Sequence, residues 1–287
     1  VRLLRGFLFY FSSVLLVFVF IHILVWKLPG SVADFVSDSE TNLFDLKKIS
    51  MMYAHEESFF SRLLSFFSFD WGSSLLYKES NLIIIKRHLF PTISLSLLSL
   101  FFTFSFVAVM LGQNREKMRK VSNFLMALPP LVVFPLFVWF FCQFTSYCPA
   151  GSENMRFMIF LAALAQAFLV APRFFKELQG EIEFVLRQRF VLILRAKGLS
   201  KKRILWMHVL TNVFPPFLSL SLLTWLSFLS GSILVEALFD LPGIGALTLE
   251  ALRGRDLPLL YSLLMFLALL HLSSLRLGSF LKRRADA

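Results

Sequence analysis

The chain has little that could carry out chemistry. Only 2 of its 287 residues are cysteine and 5 are histidine, which leaves no disulfide framework and no cluster with metal-ligand spacing. Cys142 falls inside an apolar run and Cys148 in the short loop beyond it, a spacing that permits one local disulfide. No Gly-rich phosphate loop, His-Glu-x-x-His pattern or nucleophile triad occurs, so the chain reads as a non-enzyme with no cofactor of its own. Charge is sparse as well: Asp, Glu, Lys and Arg make up 16%, against about 25% in a soluble domain. The long apolar runs hold no acid at mid-depth and the halves show no repeat, which argues against an ion-driven transporter or channel, the alternative from another class.

What fills the chain instead is apolar. Hydrophobic residues make up 57%, with 36 Phe, and the mean hydropathy is +0.73, which marks an all-α integral membrane protein. A net charge of +11 could suit nucleic acid, but the cations are confined to particular connections, so the membrane explains them and nucleic acid is excluded as a partner.

Six runs have about the length that crosses a bilayer: 7–26, 92–112, 121–144, 157–172, 213–235 and 259–275. Residues 1–90 hold the first span and a long polar segment; residues 91–287 form a core with the other five. The first run exceeds a signal-peptide core, so we read an uncleaved anchor despite the small-residue triplet Ser31-Val32-Ala33. Residues 51–69 are helix-permissive and apolar enough to lie along the membrane or pack on the spans. Pro91 opens the second span, where Thr92, Ser96, Ser99 and Thr103 recur on one helical face, a seam for helix packing with a polar pathway as the second reading. Pro129, Pro130 and Pro135 interrupt the third span, which makes it a kinked candidate for the pathway. Gln166 in the short fourth span needs a partner in the bundle. Residues 173–212 begin as an amphipathic helix with the stripe Leu178, Ile182, Val185, Leu186, Phe190 and Ile193. An acidic re-entry region, 236–258, precedes the last span.

Charge sets the orientation. The N-terminus, 113–120, 173–212 and the tail carry +2, +3, +6 and +3, whereas the other connections carry −1, 0 and −2. Cations mark the cytoplasmic side, so both termini and the 173–212 loop are expected there.

Within that loop, Arg195-Ala196-Lys197-Gly198-Leu199-Ser200 reads as a helix end, a left-handed glycine and the cap of a second helix. Together with His208, Asn212 and Pro216, this stretch resembles the cytoplasmic loop of bacterial ABC importer permeases of the dipeptide, oligopeptide and nickel class. Leu28-Pro29-Gly30, Asp70-Trp71-Gly72-Ser73-Ser74, Pro91-Thr92, Val235-Glu236, Phe239-Asp240-Leu241-Pro242-Gly243-Ile244-Gly245 and Arg255-Asp256-Leu257-Pro258 extend the similarity along nearly the whole chain.

The resemblance implies a type I permease bundle in the bacterial inner membrane. Separate ABC ATPase subunits would bind ATP and dock on Arg195, Ala196, Lys197, Gly198, Leu199, Ser200 and His208. It also implies a second homologous permease subunit in a heterodimer, an external substrate-binding protein and surrounding lipid. Pro129, Pro130, Glu236, Pro242 and Gly243 are the candidate pathway or gate residues. The absence of charged pathway residues favours peptide cargo, with nickel or another small solute as the alternative. Two features depart from the pattern: Leu192-Ile193-Leu194 stand where the family carries polar and small residues, and the tail reads Lys282-Arg283-Arg284.

Overall fold

The computed structural model describes residues 2–27, 64, 65, 68, 70–144 and 155–285. Leu28-Pro29-Gly30, Ser31-Val32-Ala33, most of 51–69, and the 145–154 loop with Cys148 lie outside the described residues. Among those described, the chain is helical, with one isolated antiparallel bridge between Ser73 and Ser80. A bilayer demands this, because a helix satisfies its own backbone where no water can.

The helices are α1 (Arg2–Lys27), α2 (Asn81–Leu111), α3 (Arg115–Met126), α4 (Pro130–Phe144), α5 (Met155–Leu186), α6 (Arg189–Ala196), α7 (Lys201–Ile204), α8 (Leu210–Leu238), α9 (Ile244–Arg253) and α10 (Leu257–Ala285), with a wide π-type turn at Leu205–Val209 joining α7 to α8. Four stretches are long and apolar enough to cross a membrane: α2, α5, the α7–α8 run and α10. The bent pair α3 and α4 would make a fifth, and the apolar part of α1, Tyr10–Ile23, is shorter.

Several spans differ from the sequence expectation. The second begins at Asn81, with Pro91 inside the helix. The third is no single kinked helix: the chain breaks at 127–129 and the two helices meet at 98°. The fourth does not stop near Pro172, because α5 runs through it and absorbs the amphipathic stretch up to Leu186. One missing donor is tolerable in a helix whose faces are buried by neighbours. The fifth continues to Leu238, so Glu236 belongs to a helix and not to a re-entry loop. The tail, too, is helical as far as Ala285.

Two compact units emerge, residues 1–90 with 242–272 and residues 91–241 with 273–287. In the first unit, Ile84 and Ile85 pack with Ile244, Leu247, Leu259 and Leu263, and Phe18 and Ile21 pack with Met265. The Phe18 ring meets Tyr261 edge-on at 5.9 Å. Asp256, fully buried, accepts from Ser74 Oγ, from the amides of Leu75 and Leu76, and from the Leu259 amide as the N-terminal cap of α10. Asn81 Nδ2 donates to Trp71 O and Ser262 Oγ. The two stretches 70–74 and 255–258 are thus one clasp. Gly254 packs closely there: a Cβ would lie 2.7 Å from Leu76 Cδ1, so the end of the Leu76 side chain would have to shift to admit one.

In the second unit, Leu95 of α2, Phe134 of α4, a run of alanines on α5 and Val235 of α8 share a core. Small residues let these helices come close. The hydroxyl seam is buried within this unit: Ser99 Oγ donates to Gln166 Oε1 at 2.8 Å, Trp225 Nε1 donates to Ser96 Oγ at 3.1 Å, and Thr92 Oγ1 donates to Glu236 Oε1 at 2.8 Å. The seam therefore holds α2, α5 and α8 together, which is the packing reading of it.

Candidate functional site

The turn at Gly198 is built from local signals that all agree. Leu199 N–H donates to Leu194 O and Gly198 N–H donates to Arg195 O, the paired bonds of a helix end that closes through a left-handed residue. Gly198 is that residue, with φ +76 and open space where a Cβ would stand, so its need for glycine is conformational rather than steric. Leu194 and Leu199 face the same core, the apolar contact that accompanies such an ending. Ser200 then caps α7, its Oγ accepting from the Arg203 amide.

Beyond the cap the helix widens over Leu205–Val209. Carbonyls freed near this turn are taken by side chains one turn on: Thr211 Oγ1 donates to Met207 O, and Asn212 Nδ2 donates to His208 O at 2.7 Å. This assigns Asn212 a structural task, and His208 supplies the matching carbonyl. Nothing in the local sequence signalled the wide turn.

The loop is rigid on one side and open on the other. Val191, Ile204 and Val209 are fully buried against Phe174, Phe175, Leu178 and Val185 of α5. At roughly 1.5–3 kcal/mol for each such side chain withdrawn from water, the loop is seated firmly. Facing outward are Arg195, Ala196, Lys197, Gly198 and Ser200, together with Leu192 at 61%, Ile193 at 56% and Trp206 at 71% exposure. The structure thus divides the departing triplet: Leu194 packs inward, whereas Leu192 and Ile193 project. Sequence reasoning missed Trp206 and Met207, which are exposed beside them.

The candidate pathway residues are divided between the two units. Pro129 lies in the break between α3 and α4, Pro130 opens α4, and Glu236 lies buried in α8; these belong to the second unit. Pro242 and Gly243 belong to the first unit, where Gly243 precedes α9 in an extended conformation. Residues 239–243 punctuate the chain: Asp240 takes φ +50, Leu241 N–H returns to Glu236 O, and Pro242 blocks further helix. Arg255, at φ +51, ends α9 in the same way.

No group of His, Cys, Asp and Glu among the described residues could hold a metal ion. Outside the spans, the Tyr77 phenol is pushed up to about 12, by burial first and then by its hydrogen bond to Glu250.

Among the described residues, several long apolar helices with an exposed turn seated on one of them define a multi-pass membrane protein. The chain belongs to the family of binding-protein-dependent transport system inner membrane components, whose model matches residues 115–286, and it is accordingly a multi-pass permease subunit of an ABC importer in the bacterial inner membrane. It is 31% identical over 222 residues to the oligopeptide transport system permease protein OppB of Escherichia coli, covering 71% of both chains. A putative peptide transport system permease protein of Brucella abortus is 25% identical over 226 residues, covering 72% of this chain and 71% of that one. The fold resembles an inward-facing MetNI methionine ABC transporter chain with a TM-score of 0.55 at 15% identity, covering 71% of this chain and 97% of that chain.

Proposed function

We propose that the chain forms one wall of the translocation path of an ATP-driven peptide importer and that the 192–208 surface is where a separate ATPase subunit docks. The observation that carries this is the seated turn: its inner residues are locked to α5 while Leu192, Ile193, Trp206 and the flanking cations project. Motion of the ATPase against that surface moves α5 and α8 as rigid bodies, which is how a soluble engine can work a membrane gate. ATP binding and hydrolysis belong to the partner.

Peptide cargo is supported by the similarity to the OppB and Brucella peptide permeases. An external binding protein and a second, homologous permease subunit complete the assembly. Two independent features support a cytoplasmic loop. The short connections divide by charge as the positive-inside rule requires. Cys142, at the far end of α4, is disulfide-bonded, a state of oxidising compartments, which supports an outward-facing end and an inward-facing start for α4.

Uptake by the complete complex in proteoliposomes tests the reading. Labelled oligopeptide should accumulate only with ATP and the ATPase present. Accumulation by this chain alone along an ion gradient would refute the subunit role, and transport of nickel ions in place of peptide would refute the cargo.

A further inference from the structure

Helix α3 shows two kinds of surface that the transport reading leaves unused. One side is fixed: Met118 packs into the core formed with Phe174, Phe175 and Leu178, Ser122 is fully buried, and Lys176 Nζ of α5 donates to Asn123 Oδ1 at 3.2 Å. The other side is open. Arg115, Lys117, Arg119 and Lys120 are all exposed. Among the described residues, Lys120 has an acidic neighbour, Glu116 at 3.5 Å, and the other three cations have none.

Apolar side chains interleave with these cations. Lys117, Val121 and Phe124 follow at spacings of four and three, so they share one helical face, and Phe124 is 68% exposed. Beyond them Met126, Leu131 and Val132 are exposed as well. A soluble surface does not carry such a row without a cover.

The bend says what the cover is. Helix α4 has 15 residues, about 22 Å at ~1.5 Å per residue, which is short of the ~30 Å hydrocarbon core. Met126, Leu131 and Val132, exposed on both sides of the 127–129 break, extend that apolar length on the α3 side and suit hydrocarbon. A helix set at 98° to α4 then runs along the membrane plane. Because the start of α4 is its cytoplasmic end in the orientation given above, α3 lies on the inner leaflet.

We propose that α3 is an interfacial helix that binds anionic phospholipid, with headgroup phosphates on Arg115, Lys117 and Arg119 and acyl chains against Val121, Phe124 and Met126. A soluble acidic partner would match the cations but could not cover apolar residues at hydrocarbon depth. The consequence reaches the docking loop, because Met118 shares its core with Val191, Ile204 and Val209. The lipid contact rests on the orientation of α4 and holds whatever solute is carried.

The test uses the full chain in nanodiscs of phosphatidylcholine alone and of an equimolar phosphatidylcholine and phosphatidylglycerol mixture. Phosphatidylglycerol should raise the thermal unfolding midpoint of the wild type. That gain should vanish in the triple variant Arg115→Gln, Lys117→Gln, Arg119→Gln and persist in Arg115→Lys, Arg119→Lys. In a second arm, a fluorophore on Phe124→Cys, attached without reductant so that disulfide-bonded Cys142 stays unreactive, should be quenched by lipid-borne nitroxide and spared by aqueous iodide. Equal wild-type midpoints in the two lipids, an undiminished gain in the triple variant, or iodide quenching of the label would each overturn the proposal.

Discussion

Ser74 Oγ donates a 2.5 Å hydrogen bond to Asp256 Oδ2, across 182 positions of sequence. The same carboxylate accepts from the amides of Leu75, Leu76 and Leu259, so one buried acid closes the 74–76 turn and starts α10. Replacing Asp256 with Ala strands buried donors, and we expect a loss of about 3 kcal/mol or more in the unfolding free energy of the purified chain. Asp256→Asn keeps an acceptor and should lose less; Ser74→Ala should lose about 1 kcal/mol. If all three variants unfold like the wild type, the clasp has no structural weight.

The seam on α2 gives a second prediction. Gln166 accepts from Ser99 and its Nε2 lies 3.4 Å from Phe228 O. Interhelical hydrogen bonds in membranes average roughly 0.6 kcal/mol, so a double-mutant cycle of Gln166→Leu with Ser99→Ala should return a coupling of about that size. The packing reading of the seam expects peptide uptake nearly unchanged in both single variants. Selective loss of uptake with stability intact would instead favour the pathway reading.

Tyr77 supplies a pH dependence. Its folded pKa is pushed up to about 12, so the stabilisation it provides is fully present below the ordinary tyrosine value near 10 and disappears as pH rises through 12. In an alkaline absorbance titration, Tyr77 should ionise after an exposed tyrosine, and Tyr77→Phe should remove that late step. An unshifted late step in the variant would contradict the assignment.

Much of the Gly198 turn was legible because its signals are local: cations in a last turn, a glycine, then a capping serine, all within 195–200. The clasp was visible only as two separate motifs, since no local rule pairs Ser74 with Asp256. Pro172 misled because proline ends helices in water, whereas α5 is flanked by partners that bury it. Glu236 reads as the start of a polar connection because no local rule reveals Thr92, 144 positions away, whose hydroxyl donates to the buried carboxylate. The prolines at 129 and 130 marked the place of the break but not its angle, which depends on how Met118 and Ser122 seat α3.

The exposed pair on α6 gives a further prediction. Leu192 and Ile193 project from a helix whose back is fixed, so Leu192→Asp with Ile193→Asp should leave the unfolding midpoint of the chain near the wild-type value yet abolish ATPase binding. Binding retained by this variant would move the contact elsewhere on the loop.

The most direct measurement is co-purification of the ATPase subunit with Gly198→Val. At φ +76 an L-residue is strained by about 1–2 kcal/mol, and a β-branched one suffers more, so the turn should re-form in another shape while the spans stay folded. ATPase recovery and ATP-driven peptide uptake should fall together, with the chain still inserted in the membrane. Wild-type recovery and uptake in Gly198→Val would contradict the claim that this turn is the docking element.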